Sequence, residues 1–230
     1  MPGQPMPYGQ QMPYGQPQYG MPGYGMPVPQ RPVSPGVLFG VSVWRLVIVV
    51  FAITGFSLAM ASSDGSGALA ALSQQASLVT AICYAGLLIY PAFTGGRRHE
   101  PNTPWLRGAL VVLLALVSIT FLTMLGGDLN DTWSLFEHLL TPLAVLIDWL
   151  VVGTAQRNAR WWFPFTWLAF PVAYLLFYIA YVGGGDPIYP FLDPSAGDFV
   201  GIVFAFLAGV LAFGFVVLGI GKMRGSISTR

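Results

Sequence analysis

The stretch Phe199 to Gly221, FVGIVFAFLAGVLAFGFVVLGIG, contains no charged residue and is long enough to cross a hydrocarbon core of about 30 Å as a helix. Five similar apolar runs precede it, near Val37 to Met60, Leu72 to Phe93, Leu106 to Leu125, Ser134 to Ala155 and Phe163 to Val182. Continuous runs of about 20 residues argue against a barrel, whose strands alternate over about 10. The whole chain agrees with its last run: 55% of residues are hydrophobic, 8% are charged and the mean hydropathy is +0.66. The expected fold class is all-α, a polytopic membrane protein of six transmembrane helices.

Orientation follows from the basic residues. Arg31, Arg45, Arg97, Arg98, Arg107, Arg157, Arg160, Lys222, Arg224 and Arg230 all fall on one side of a six-span chain. The other loops carry Asp64, Asp128, Asp131, Asp186, Asp193 and Asp198 instead. By the positive-inside rule both termini are expected in the cytoplasm, with the protein a multi-pass component of the cell membrane. The net charge of +1 gives no reason to expect nucleic acid as a partner.

Three regions are expected. Residues 1–36 repeat MPYGQ among Pro, Gly, Gln and Tyr, too little apolar surface to offset ordering, so they read as a disordered cytoplasmic tail. Such a tail lacks the apolar core of a cleavable signal and suits either polyproline-type recognition by cytoplasmic partners or a solvated tether. Residues 37–222 form the membrane domain, and residues 223–230 a short basic cytoplasmic tail. The single cysteine, Cys83, lies in a span, where an apolar packing role is expected.

Function is sought where polar groups interrupt the spans. Glu137 to Val151 reads EHLLTPLAVLIDWLV. An ionisable group in hydrocarbon costs at least about 2.5 to 3.5 kcal/mol at the helix centre, so it ordinarily faces a cavity, a partner or a substrate. On a regular helix His138, Thr141 and Asp148 share a face within roughly 80°, with His138 and Asp148 about 15 Å apart along the axis. Asp148 lies at the depth of Arg45, and these two are expected to form a structural ion pair. In the second span Ser73, Ser77, Thr80 and Tyr84 draw one polar stripe, which suits helix packing. Ser73 differs by its depth, because it enters from the same side as His138. A hydroxyl nucleophile needs an adjacent base, and histidine is the usual one. The loop Tyr189-Pro190-Phe191-Leu192-Asp193, bracketed by prolines, is expected to form a rigid turn over a cavity or an interfacial anchor. Asp193 is its candidate for orienting a histidine, and Tyr174, Tyr178 and Tyr181 share a face of the fifth span.

Other chemistries lack their signatures. His99 and His138 fall on opposite sides, and HExxH, CxxC, GxSxG and a Gly-rich phosphate loop are missing from the sequence. No metal or cofactor is expected.

The motifs His138-Leu139-Leu140-Thr141-Pro142, Leu146-Ile147-Asp148-Trp149 and Tyr189-Pro190-Phe191-Leu192-Asp193, in this order on six spans, resemble the androgen-induced-gene-one-like family, and within it the bacterial six-helix branch. The likeness covers about Val41 to Lys222. Its animal members are threonine-dependent membrane hydrolases of fatty acid esters of hydroxy fatty acids. The resemblance implies that His138 is the family's histidine and that Ser73 replaces its threonine. The bacterial FTxQSN pattern reads Leu72-Ser73-Gln74-Gln75-Ala76-Ser77 here, with a serine at the asparagine position.

The expected function is hydrolysis of a lipid ester at the outer leaflet, with membrane lipids as surroundings and source of substrate. Ser73 would attack the acyl carbonyl, His138 would carry the proton, and Gln74 or Gln75 would donate to the oxyanion. Two alternatives remain: a proton-coupled transporter using His138 and Asp148, and a non-enzymatic scaffold whose tail recruits partners.

Overall fold

A computed structural model describes residues 32–62 and 67–227. The MPYGQ tail, Asp64 and the last three residues lie outside them. The described residues are helical, with no strand, and six of their helices are long and apolar enough to cross a membrane. These are α1 (Pro35–Ser62), α2 (Leu72–Phe93), α3 (Trp105–Met124), α4 (Thr132–Val152), α5 (Phe163–Val182) and α6 (Phe199–Ile227). α1 packs along α2 and touches α4, while α6 lies against α3 and α5. Their shared core includes Ile48, Tyr84, Leu114, Val145, Trp149 and Trp167.

Prolines decide where the helices depart from regularity. Pro142 has no amide to give the carbonyl of His138, four residues back, and the turn before it widens into a π-helix over Phe136–Leu140. Thr141 there donates its amide to Phe136, five residues back. Pro171 likewise has no amide for the Trp167 carbonyl, four residues back, and α5 is interrupted at Leu168. A second π turn, Asp148–Val152, closes α4, and Gly153 then turns extended. Side chains take the carbonyls at this end: Gln156 Nε2 donates to Trp149 O at 2.5 Å, and Arg224 Nη1 to the same oxygen at 2.9 Å.

Among the boundaries that differ from expectation, three have a physical account. α1 begins at Pro35, inside the segment read as tail, because proline at a first turn lacks only an amide that would be unbonded anyway. α4 stops before Gly153 rather than at Ala155, for the reason just given. α6 continues past Gly221 to Ile227, so the residues read as a basic tail are largely helix, fastened by Arg224 to Trp149 and Val151.

Candidate functional site

At the end of the bundle where α2, α4 and α6 begin, the helices enclose a cavity of about 330 Å³. Its wall is mainly apolar: Leu116, Val117 and Phe121 from α3, Leu175 from α5, and Val203, Phe206, Leu207 and Val210 from α6. Polar groups enter it from Ser73, Gln74, His138, Tyr174 and Tyr189. Ser73 and His138 thus stand on the wall of one cavity.

The loop between α5 and α6 covers this cavity with Tyr189, Phe191 and Leu192. Its aromatic rings continue a stack from Tyr178 through Tyr189 and Phe191 to Phe206 in α6, with centroids 5.6, 5.8 and 5.5 Å apart. The Tyr189 hydroxyl accepts the Leu72 amide at 2.9 Å, and the Tyr174 hydroxyl donates to Ala70 O at 2.9 Å. The first amide of α2, which no carbonyl of its own helix can reach, is therefore satisfied from the covering loop. Burial pushes the Tyr189 phenol up.

His138 lies flat on Phe121, ring centroids 3.7 Å apart and planes 4° from parallel, with Trp133 edge-on at 6.3 Å. It is 5% exposed, and its Nδ1 is enclosed without a hydrogen-bond partner. No hydrogen bond joins it to Ser73 among the described residues. The polar neighbour of Ser73 is Glu137 instead. Gln74 Nε2 donates to Glu137 Oε2 at 2.9 Å, and the hydroxyls of Ser73 and Ser77 flank the same carboxyl group. Glu137 is 1% exposed and, among the described residues, has no cation within ion-pair distance and no partner for Oε1. Gly55 of α1 makes room for it: a Cβ there would stand 2.7 Å from Glu137 Cγ.

Glu137 was the residue that sequence reasoning passed over. Its signal, a carboxyl inside an apolar span, was present in the quoted stretch. Its contacts are set by packing: Glu137 meets Gly55 of α1 and Gln74 of α2, while His138 lies on Phe121 of α3.

Three expected site residues do other work. Gln75 Nε2 donates to Leu69 O at 3.1 Å, closing the turn before α2, and is not part of the cavity wall. Gln74 faces the cavity, but its amide hydrogen is committed to Glu137. Asp193 touches no histidine: its Oδ1 accepts from Ser195 Oγ at 2.7 Å and Ser195 N at 2.8 Å, which hold its carboxyl below the usual carboxylate range.

The expected ion pair between Arg45 and Asp148 is corrected as well. Asp148 is held by Arg107, whose Nε donates to Oδ2 at 2.7 Å and whose Nη2 lies 2.6 Å from it, while Tyr84 donates to the same oxygen at 3.0 Å. Arg45 donates from Nη1 to the carbonyls of Leu87, at 2.8 Å, and His99. The Leu87 carbonyl is available because Pro91, four residues on, has no amide to offer it. Arg107 also pairs with Glu100, which accepts from Thr154 N at 2.6 Å, Thr154 Oγ1 at 2.7 Å and Ala155 N at 2.7 Å. Two arginines and two carboxylates thus balance in a buried knot at the opposite end of the bundle from the cavity.

No protein-family model, curated protein or solved structure matches this chain.

Proposed function

We propose that this protein is a hydrolase of lipid esters, similar to the androgen-induced-gene-one-like family, acting in the cell membrane with both termini cytoplasmic and its cavity toward the outer leaflet. The observation that carries the reading is the shared placement of Ser73 and His138 on a mainly apolar cavity of about 330 Å³. The charge pattern of the loops supports the orientation.

Ser73 also occupies the first turn of a long helix. Amides of this turn have no carbonyl within α2 to bond, and they carry the positive end of the helix dipole. In the proposed reaction those of Ser73 and Gln74 face the charge that develops on the acyl oxygen, a role for which the Gln75 side chain is not free. The Ser73 Oγ–acyl bond forms and the ester C–O bond breaks. The hydroxyl proton passes to a base of the site, and a proton is delivered to the departing alcohol. Water then cleaves the acyl-serine, releasing the fatty acid and restoring Ser73.

The test is release of fatty acid from esters of hydroxy fatty acids by the purified protein in liposomes. Ser73→Ala and His138→Ala should each lower the rate at least about 100-fold. Hydrolysis that survives both changes would refute the reading, and solute flux without hydrolysis would favour a carrier.

A further inference from the structure

Resting on the hydrolase reading and deepening it, we propose that Glu137 is the group that accepts the Ser73 proton, while His138 serves the leaving alcohol.

Geometry separates the two roles. Ser73 is on the cavity wall and Glu137 is behind it, away from the cavity, with the Ser73 hydroxyl beside its carboxyl group. A serine backed in this way presents its oxygen to a substrate while its proton points to a carboxylate. His138 is on the wall itself, held flat against Phe121 and without a bond to Ser73, where it can meet the far side of an ester.

The surroundings of Glu137 fit an acceptor. Gln74 donates to Oε2 at 2.9 Å, and among the described residues no cation stands within ion-pair distance of the carboxyl group. Oε1 remains without a partner, which is an open acceptor position on a fully buried side chain. The carboxyl group also sits on a π turn, a distortion that recurs at functional sites.

In the acylation step the Ser73 O–H bond breaks and its proton goes to Glu137. The oxygen bonds to the acyl carbon, and His138, which enters the step as the imidazolium, gives a proton to the alcohol oxygen as the ester C–O bond breaks and is left neutral. In deacylation water loses a proton to His138, and Glu137 returns its proton to Ser73. Ester and water become acid and alcohol, and both groups end as they began.

Labelling by an alkyl fluorophosphonate separates the two proton transfers. The Ser73 oxygen bonds to phosphorus, its proton goes to the acceptor, and fluoride leaves as an anion that needs no acid. Full-length protein in detergent should be labelled at Ser73. Glu137→Gln should slow labelling about 100-fold, with Glu137→Asp intermediate, while both variants keep the wild-type elution and melting profile. His138→Ala should keep the labelling rate within about 3-fold and lose ester turnover. If Glu137→Gln is labelled at the wild-type rate, or His138→Ala is not labelled, this assignment is wrong while the hydrolase reading survives. If the wild-type protein is never labelled at Ser73, both fail together.

Discussion

Arg107 and Asp148 join α3 to α4 through a two-point contact, with Arg107 2% and Asp148 0% exposed and Tyr84 bonded to the same carboxylate oxygen. Removing one partner leaves an uncompensated charge in a dry site, which typically costs about 3 to 5 kcal/mol. Arg107→Ala and Asp148→Ala should therefore each prevent accumulation or lower the melting midpoint in detergent steeply. The double reversal Arg45→Asp with Asp148→Arg should bring no recovery, since Arg45 serves carbonyls rather than Asp148.

Acid should loosen the same end of the bundle. Burial lowers the His99 imidazole below its ordinary value, and the neighbouring Glu100 offsets this only in part. Burial would raise Glu100, but the Arg107 charge and the Thr154 bonds outweigh it and hold the carboxyl below its usual range. Both folded-state values are depressed, so both contributions are complete above the unfolded values and are lost as pH falls. The midpoint should be flat above about pH 6.5, decline below it, and decline again below about pH 4.3. His99→Gln should make the first decline shallower and leave the second, as read by thermal unfolding across pH.

Tyr189→Phe removes the hydroxyl that accepts the Leu72 amide. An unsatisfied buried donor costs about 1 to 3 kcal/mol, and the covering loop loses its tie to α2. Faster amide exchange across residues 183–198 and in the first turn of α2, with the rest of the bundle unchanged, is the expected signature.

Gly55→Ala should push Glu137 away from Ser73, because the new Cβ would stand 2.7 Å from Glu137 Cγ. Overpacking of this kind costs about 1 to 3 kcal/mol. Fluorophosphonate labelling should slow, although the substituted residue lies on α1 and touches no ligand. An unchanged rate would show that the position of Glu137 is unimportant.

Leu207→Trp narrows the apolar part of the cavity from α6. Long-chain esters should lose most of their turnover, while short-chain esters and a small fluorophosphonate keep theirs. The comparison of chain lengths by fatty acid release checks which wall holds the acyl group.

The spans were legible because continuous apolarity over about 20 residues admits little else. α2 and α5 begin and end where the sequence pattern placed them. The shared level of Ser73 and His138 was legible too, since both lie near the start of helices that enter from one side; the cavity between them was not. Nor were their partners. A regular helical wheel describes α4 only in part, because π turns occupy Phe136–Leu140 and Asp148–Val152. Arg107 reads in the sequence only as one of the basic residues on one side of the chain; packing reveals that it turns inward to Asp148 and Glu100.

The bond from Leu72 to Tyr189 makes the lid and the electrostatics of the site one mechanical unit. Lifting the loop to admit a bulkier guest strips the first amide of α2 of its acceptor and disturbs the turn that carries Ser73. A molecule too large to lie under the closed aromatic stack would then enter a site whose anion-stabilising end is out of order. Size selection would appear in turnover rather than in affinity.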